Sequence, residues 1–231
     1  MQIKAARIIT FLFVLVVVVA LTASVMAQGQ GAGAGGGQGR GGGAPGGGGQ
    51  GRGGAGGGRG GGGAPPLLMT TTAWEDGGVI PDKYTQAAGA TSPSPELKFA
   101  QAPMGTQSFV LLMHDPEPFQ GRGAKMDITH WIAWNIPGTS TGLPEGAPAG
   151  ELPDGTRQVS LRSLGYMGPG AGPGPYHHYT FELYALDTKL DIAQPAAGMM
   201  PAQVVELRNK IVDAMEGHVV GKAVLIARFH R

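Results

Sequence analysis

The chain has no cysteine, which excludes disulfide staples, zinc ribbons and thiol nucleophiles together and leaves packing as the source of stability. Charge is scarce as well: Asp, Glu, Lys and Arg make up 14% of the 231 residues and sum to a net +1. That balance supplies neither the basic field of a nucleic-acid binder nor the acidic excess of a solvating tail, so partner choice must come from a local site. No His-x-Glu or His-x-x-x-His spacing fixes two metal ligands on one element, which argues against a metal role and any resident cofactor. What the chain has in surplus is glycine, 43 residues with 18 prolines. Much of that glycine lies in one block, so the foldable part is shorter than the chain and one domain is expected.

Residues 1–27 read as an export signal. Lys4 and Arg7 form a positive start, residues 8–22 are nearly all apolar, and Val25-Met26-Ala27 offers a cleavage site after Ala27. An uncleaved membrane anchor is the alternative, since the apolar run approaches the roughly 17–20 residues a spanning helix needs. Both readings place the remainder of the chain outside the cytoplasm, periplasmic or secreted. Residues 28–66 are Gly with Gln, Ala and the scattered Arg40, Arg52 and Arg59. Such a segment has almost nothing to bury and loses much backbone entropy on ordering, so it is expected to be a flexible linker. Its few arginines neutralise too few phosphates to suggest RNA.

From residue 67 to 231 short apolar runs alternate with Gly, Pro, Asp and Asn, the pattern of a mainly β, antiparallel sandwich with few helices. Phe109–His114 is apolar on both faces and predicts a central strand buried on both sides. Strict alternation over His130–Ile136 groups His130 with Ile132, Trp134 and Ile136. Over residues 177–185 it turns His177, Tyr179, Phe181 and Leu183 inward and His178 to solvent. One helix is expected over 201–216, with Val204, Leu207, Ile211 and Met215 on one stripe, Pro201 in its first turn and Gly217 at its C-terminal cap. A last strand closes the chain.

Three stretches place His and carboxylates at strand ends beside Pro and Gly turns: His114-Asp115-Pro116-Glu117-Pro118, Thr129-His130-Trp131, and Gly168-Pro169 followed by His177-His178-Tyr179. Converging, they would line a pocket for a small polar or anionic group. A lone His beside Trp also fits a hydrogen-bonded core residue, and His114, His218 and His230 read as structural or exposed. A hydrolase using His, Asp and Glu for acid-base chemistry is the rival class. Against it, no Ser nucleophile elbow or positioned third group is recognised.

The ordered motifs D-G-G-x-I-P-x-K-Y-T (Asp76–Thr85), S-P-x-L (Ser94–Leu97), P-x-G-T-x-S-F (Pro103–Phe109), D-P-E-P (Asp115–Pro118), T-H-W-I-x-x-N-I-P (Thr129–Pro137), G-Y-x-G-P (Gly165–Pro169), H-H-Y-x-F-x-L-Y-A-L-D (His177–Asp187) and G-H-V-V-x-K-A-x-L (Gly217–Leu225) span nearly all of residues 70–231. In this order the chain resembles the phosphatidylethanolamine-binding protein family, in its bacterial and archaeal Raf-kinase-inhibitor-like branch. The resemblance implies a sandwich with a small anion pocket at one edge. Carried over motif by motif, that pocket would use Asp115, His130, Gly168, Pro169, His177 and Tyr179, with Glu117 and Pro118 on the same wall. Two departures stand out. The usual D-P-D-A-P loop is one residue shorter, and the turn after Pro169 reads Gly170-Ala171-Gly172 where the family has prolines, which predicts a looser mouth.

The function so implied is non-enzymatic binding of a phosphate- or phospholipid-headgroup-type anion, held by charged imidazoles, the Tyr179 hydroxyl and turn N–H groups, and weakening above about pH 7 as free His loses its proton. The alternative within the family is inhibition of a protease or kinase through the pocket rim. Partners would then be a small anionic ligand, a target enzyme, or a second copy in a homodimer, with a membrane only if the N-terminal segment stays uncleaved.

Overall fold

The run Ser-Phe-Val-Leu-Leu-Met-His-Asp forms strand β4, Ser108–Asp115, buried along almost its whole length. Its neighbours explain why both of its faces are apolar. In this computed structural model, which describes residues 65–89, 91–120 and 127–231, β4 lies inside a six-stranded sheet of order β2-β9-β8-β4-β5-β7. The partners are β2 (Gly78–Val79), β5 (Ile128–Pro137), β7 (Arg157–Val159), β8 (His177–Leu186) and β9 (Val219–Phe229). A three-stranded antiparallel sheet of order β1-β3-β6 is built from β1 (Leu68–Thr70), β3 (Leu97–Ala100) and β6 (Gly142–Leu143). The fold is thus mainly β, with one helix, α1 (Pro201–Ala214), near the C-terminal end. The large sheet is mixed rather than wholly antiparallel as expected, because β2 pairs with β9 in parallel.

On one face of the large sheet Phe109, Leu111 and Met113 join Trp131, Tyr179, Phe181 and Leu225 in a core that also takes Met69, Leu97 and Phe99 from the small sheet. On the other face Val110, Leu112, Ile132 and Trp134 pack with Val204 and Ile211 of α1 and with Leu190 and Ile192. Each fully buried Leu, Phe or Met here contributes about 1.5–3 kcal/mol, so β4 anchors both layers at once. The helix keeps the expected stripe but ends two residues earlier than read from the sequence. Met215 caps it, and Gly217 at φ +79° takes the left-handed conformation that an L side chain resists.

Two bulges in β5 break the strict alternation read from its sequence. Phe109 faces Ile136 while Leu111 faces Ala133, so Trp134 and Asn135 stand opposite one residue of β4. Asn135 absorbs the extra residue at φ +56° and is held there by two bonds with Leu190, its Nδ2 donating to the carbonyl at 2.9 Å and its Oδ1 accepting from the amide at 2.8 Å. Ile136 is thereby moved to the face of Trp131 and Ala133, away from Ile132 and Trp134. The second bulge falls between the pairs Met113–Trp131 and His114–Thr129, leaving His130 as the unpaired residue. This removes His130 from the helix-side face, where alternation had put it, and sets its ring edge-on to Tyr179 at 5.0 Å.

No helix among the described residues is long and apolar enough to cross a membrane. The proposed signal, residues 1–27, and all but the end of the 28–66 linker lie outside the described residues.

Candidate functional site

A cavity of about 250 Å³ opens where β4, β5 and β8 end together, lined among others by Asp115, Pro118, His130, His177 and Tyr179. Five of the eight residues named from the sequence therefore meet on one surface. Glu117 stands one step behind, its amide donating to Asp115 Oδ1 at 3.1 Å. Gly168 lines an adjoining cavity, and Pro169 lines neither; its carbonyl accepts from the Gln86 amide at 2.8 Å.

The antiparallel pairing of β4 with β8 brings the end of one strand beside the start of the other. There His177 Nδ1 meets Asp115 Oδ2 at 2.8 Å, and His178 Nδ1 meets Glu117 Oε1 at 2.7 Å. His178 faces solvent as alternation predicts, but it is not idle, because it ties down the loop that carries Glu117. Asp115 is only 3% exposed. Burial pushes its carboxyl above the ordinary range although His177 pulls the other way. Glu117 moves oppositely. Burial works against its charge, but its hydrogen bonds to His178 and Asp115 hold it below the ordinary range.

His130 does not fit the charged role expected of it. Its Nδ1 lies 2.9 Å from the Met167 carbonyl, which can only accept, so Nδ1 carries the proton and Nε2 is left with a lone pair. Burial lowers its pKa to about 4 despite the carbonyls around it, and the ring is neutral at physiological pH. It can accept a bond from a ligand hydroxyl or amine but cannot neutralise an anion.

Tyr179 is fully buried at the floor. Its hydroxyl accepts from the amides of Gly170, 3.3 Å, and Ala171, 3.1 Å, and keeps its own proton to donate. Burial first, and the charge of Asp115 second, hold its pKa above the ordinary phenol value, so it stays a neutral donor. The same two bonds correct the expectation of a loose mouth. Ala171 is buried in the core and the turn amides are already paired, leaving fewer N–H groups for an anion than the family likeness implies.

Sequence reading passed over two polar lining residues, Gln86 and Arg162. Gln86 follows directly on Thr85 in a 3-10 turn, Gln86–Ala88, and its side-chain amide donates to the Gly168 carbonyl at 2.8 Å. Room for this contact explains two glycines. A Cβ on Gly170 would come within 2.5 Å of the Gln86 amide, and one on Gly168 within 2.6 Å of both Ser92 Oγ and the Tyr84 carbonyl. Among the described residues that line the cavity Arg162 is the one arginine or lysine, and it makes no ion pair with another described residue. Its signal was present: a lone cation three residues before Gly165 in a charge-poor chain.

A stretch with the spacing of a nucleophile elbow, Gly138-Thr139-Ser140-Thr141-Gly142, also escaped the sequence reading. It joins β5 to β6, strand to strand rather than strand to helix, and Ser140 Oγ donates to the Gly142 carbonyl at 2.8 Å. None of its residues lines the cavity.

Asp115, Glu117 and His177 offer ligand atoms within 4.8 Å of one another, the spacing a metal ion could bridge. The His177–Asp115 and His178–Glu117 pairs each use one carboxylate oxygen, and Glu117 Oε2 is buried without a hydrogen-bond partner among the described residues.

The family model described as phosphatidylethanolamine-binding protein matches residues 70–230. A UPF0098 protein of Methanothermobacter thermautotrophicus is 40% identical over 166 residues, covering 71% of this chain and 98% of that protein. Among solved structures, a putative phosphatidylethanolamine-binding protein homolog, CT736, from Chlamydia trachomatis matches with TM-score 0.57 and 28% identity over 72% of this chain and 98% of its own. Escherichia coli YbcL, described as a member of the mammalian PEBP family, has the same fold at TM-score 0.54 and 24% identity, over 72% of this chain and 99% of that one. With the ordered motifs from Asp76 to Leu225 inside this match, the chain belongs to the phosphatidylethanolamine-binding protein family.

Proposed function

We propose that this protein binds a small phosphate- or carboxylate-bearing ligand of headgroup size in the cavity between Asp115, His130, Arg162, His177 and Tyr179, without turning it over. The observation that carries this reading is a cavity of about 250 Å³ in which one cation, one imidazole paired to a carboxylate and one buried phenol donor converge. Drug-sized ligands occupy roughly 300–1,000 Å³, so the volume suits a headgroup rather than a whole phospholipid. Arg162 supplies the permanent charge. Tyr179 donates to an anion oxygen, neutral His130 accepts from a hydroxyl or amine of the ligand, and Asp115 keeps His177 oriented.

The hydrolase reading retains one specific support. His177 with Asp115 at 2.8 Å has the geometry of a base and its orienting carboxylate. Among the described residues no Ser, Thr or Lys nucleophile lines the cavity, which leaves activated water or Asp115, His177 or Tyr179 as the nucleophile. Isothermal titration with inorganic phosphate and phosphoethanolamine tests the binding reading: saturable one-to-one binding that His177→Ala weakens at least tenfold is expected. Absence of binding by both would overturn it, and release of phosphate from phosphoethanolamine would transfer support to the hydrolase.

The contact of Phe99 in the small sheet with Phe109 in the large one, ring centroids 5.5 Å apart, supports taking the two sheets as layers of a sandwich. The charge and apolar pattern of residues 1–27 supports export, which fractionation of expressing cells tests directly.

A further inference from the structure

A second cavity, of about 430 Å³, shares Gln86, Arg162 and Met167 with the first and continues past Gly168 to Arg231. Among the described residues no carboxylate side chain lines it. The two arginines on its wall form no ion pair among the described residues, and each guanidinium reaches protein only through one long contact. Arg162 Nη1 lies 3.4 Å from Gln86 Oε1, and Arg231 Nη2 lies 3.4 Å from the Gln86 carbonyl. A guanidinium has five N–H donors, so most remain available on both. Two guanidinium charges flanking one cavity, with no acidic side chain among its described lining residues, favour an anion between them. Gln86 sets the spacing. It is fixed to the Gly168–Pro169 turn by its own amide and side chain, both at 2.8 Å, and so presents both arginines to one space.

We propose that this second cavity takes a second anionic group of the same ligand, so that the protein prefers small molecules bearing two phosphoryl groups over monophosphates. The inference rests on the reading of the first cavity as the phosphate site. In it Arg162 stands between the two groups and contacts both, whereas Arg231 serves the outer group alone.

The test compares propyl phosphate with the bisphosphates of 1,3-propanediol, 1,4-butanediol and 1,6-hexanediol by isothermal titration on the full chain. At least one bisphosphate should bind about tenfold tighter than propyl phosphate, the worth of a charge-assisted contact. Arg231→Ala should erase that advantage and leave propyl phosphate within twofold. Lys189→Ala, which removes the same charge beyond the opposite end of β8, should leave the advantage intact. Equal affinity for all four compounds, or an advantage that survives Arg231→Ala, would overturn the second site while leaving the first standing. Absence of binding by any of them would overturn both.

Discussion

Replacing Asp127 by Asn tests how the strand ends that carry the cavity are held. On the helix side of the sheet, His114 Nδ1 lies 2.5 Å from Asp127 Oδ2, and Arg208 of α1 clasps the same carboxylate through both of its terminal nitrogens. Glu182 closes the group, 3.7 Å from His114 Nε2, with Lys222 at 2.6 Å and the Tyr184 hydroxyl at 3.0 Å. The His114 nitrogens meet these oxygens by proximity of charge and not by well-aligned hydrogen bonds. Side chains of His114 and Asp127 are 15% and 19% exposed, so solvent screens them little. Burial alone would lower the His114 pKa, but Asp127 and Glu182 outweigh it and raise it from 6.5 to about 9, worth roughly 3 kcal/mol for the charged form. His114 and Arg208 hold the Asp127 carboxyl far below its ordinary range against the effect of burial, and His114 with Lys222 lowers Glu182 to about 2.

These shifts fix the sign of the pH dependence. The His114 contribution is whole below pH 6.5 and is lost as pH rises through about 9, while the carboxylates contribute above their ordinary values and fail as pH falls toward 2. Stability should therefore plateau between about pH 4.5 and 6.5 and decline on the alkaline side. Asp127→Asn leaves Arg208 without its carboxylate and His114 with Glu182 alone, a loss of about 3 kcal/mol in the plateau or roughly 6–12 °C in Tm. At pH 10 His114 is neutral in the parent as well, and the difference should shrink to roughly half. Urea unfolding at pH 6 and pH 10 measures both. A difference of equal size at the two values, or a variant with the parent's alkaline decline, would refute this electrostatic account. Because Asp127 precedes Ile128 on the cavity wall and His114 precedes Asp115, the variant should also weaken phosphate binding.

Other consequences can be measured separately. Tyr179→Phe removes the acceptor of the Gly170 and Ala171 amides, so it should cost about 1–3 kcal/mol in urea unfolding and weaken phosphoethanolamine several-fold by titration. Gly168→Ala drives a methyl into the Tyr84 carbonyl and Ser92, and a loss of about 1–3 kcal/mol is expected by thermal melting. Nitrogen chemical shifts should show His130 as the neutral Nδ1–H tautomer down to about pH 4, and a ring charged at pH 6 would contradict the burial argument.

The central strand at Phe109–His114 and the inward turn of His177 and Tyr179 were legible, because period-two alternation survives where β8 pairs without interruption from His177 to Ala185. Alternation failed in β5 for a physical reason. A bulge carries no hydrophobic signature, and Asn135 at positive φ is recognisable only in hindsight as a residue suited to it. The charge state of His130 was hidden likewise, since it depends on the Met167 carbonyl 37 residues away. Gln86 and Arg162 sit in short turns with no periodicity, 76 positions apart, and only the folded chain brings them together. The Gly-Ala-Gly turn misled in the opposite direction: composition suggested looseness, but Tyr179 eight and nine residues on supplies the restraint.

A crystal soaked with phosphoethanolamine tests the binding claim most directly. Phosphoryl density is expected between His130 and His177, with oxygens in hydrogen-bond reach of the Tyr179 hydroxyl and the Arg162 guanidinium. Water alone in that cavity at a concentration that saturates binding in solution, or the ligand bound elsewhere, would contradict it.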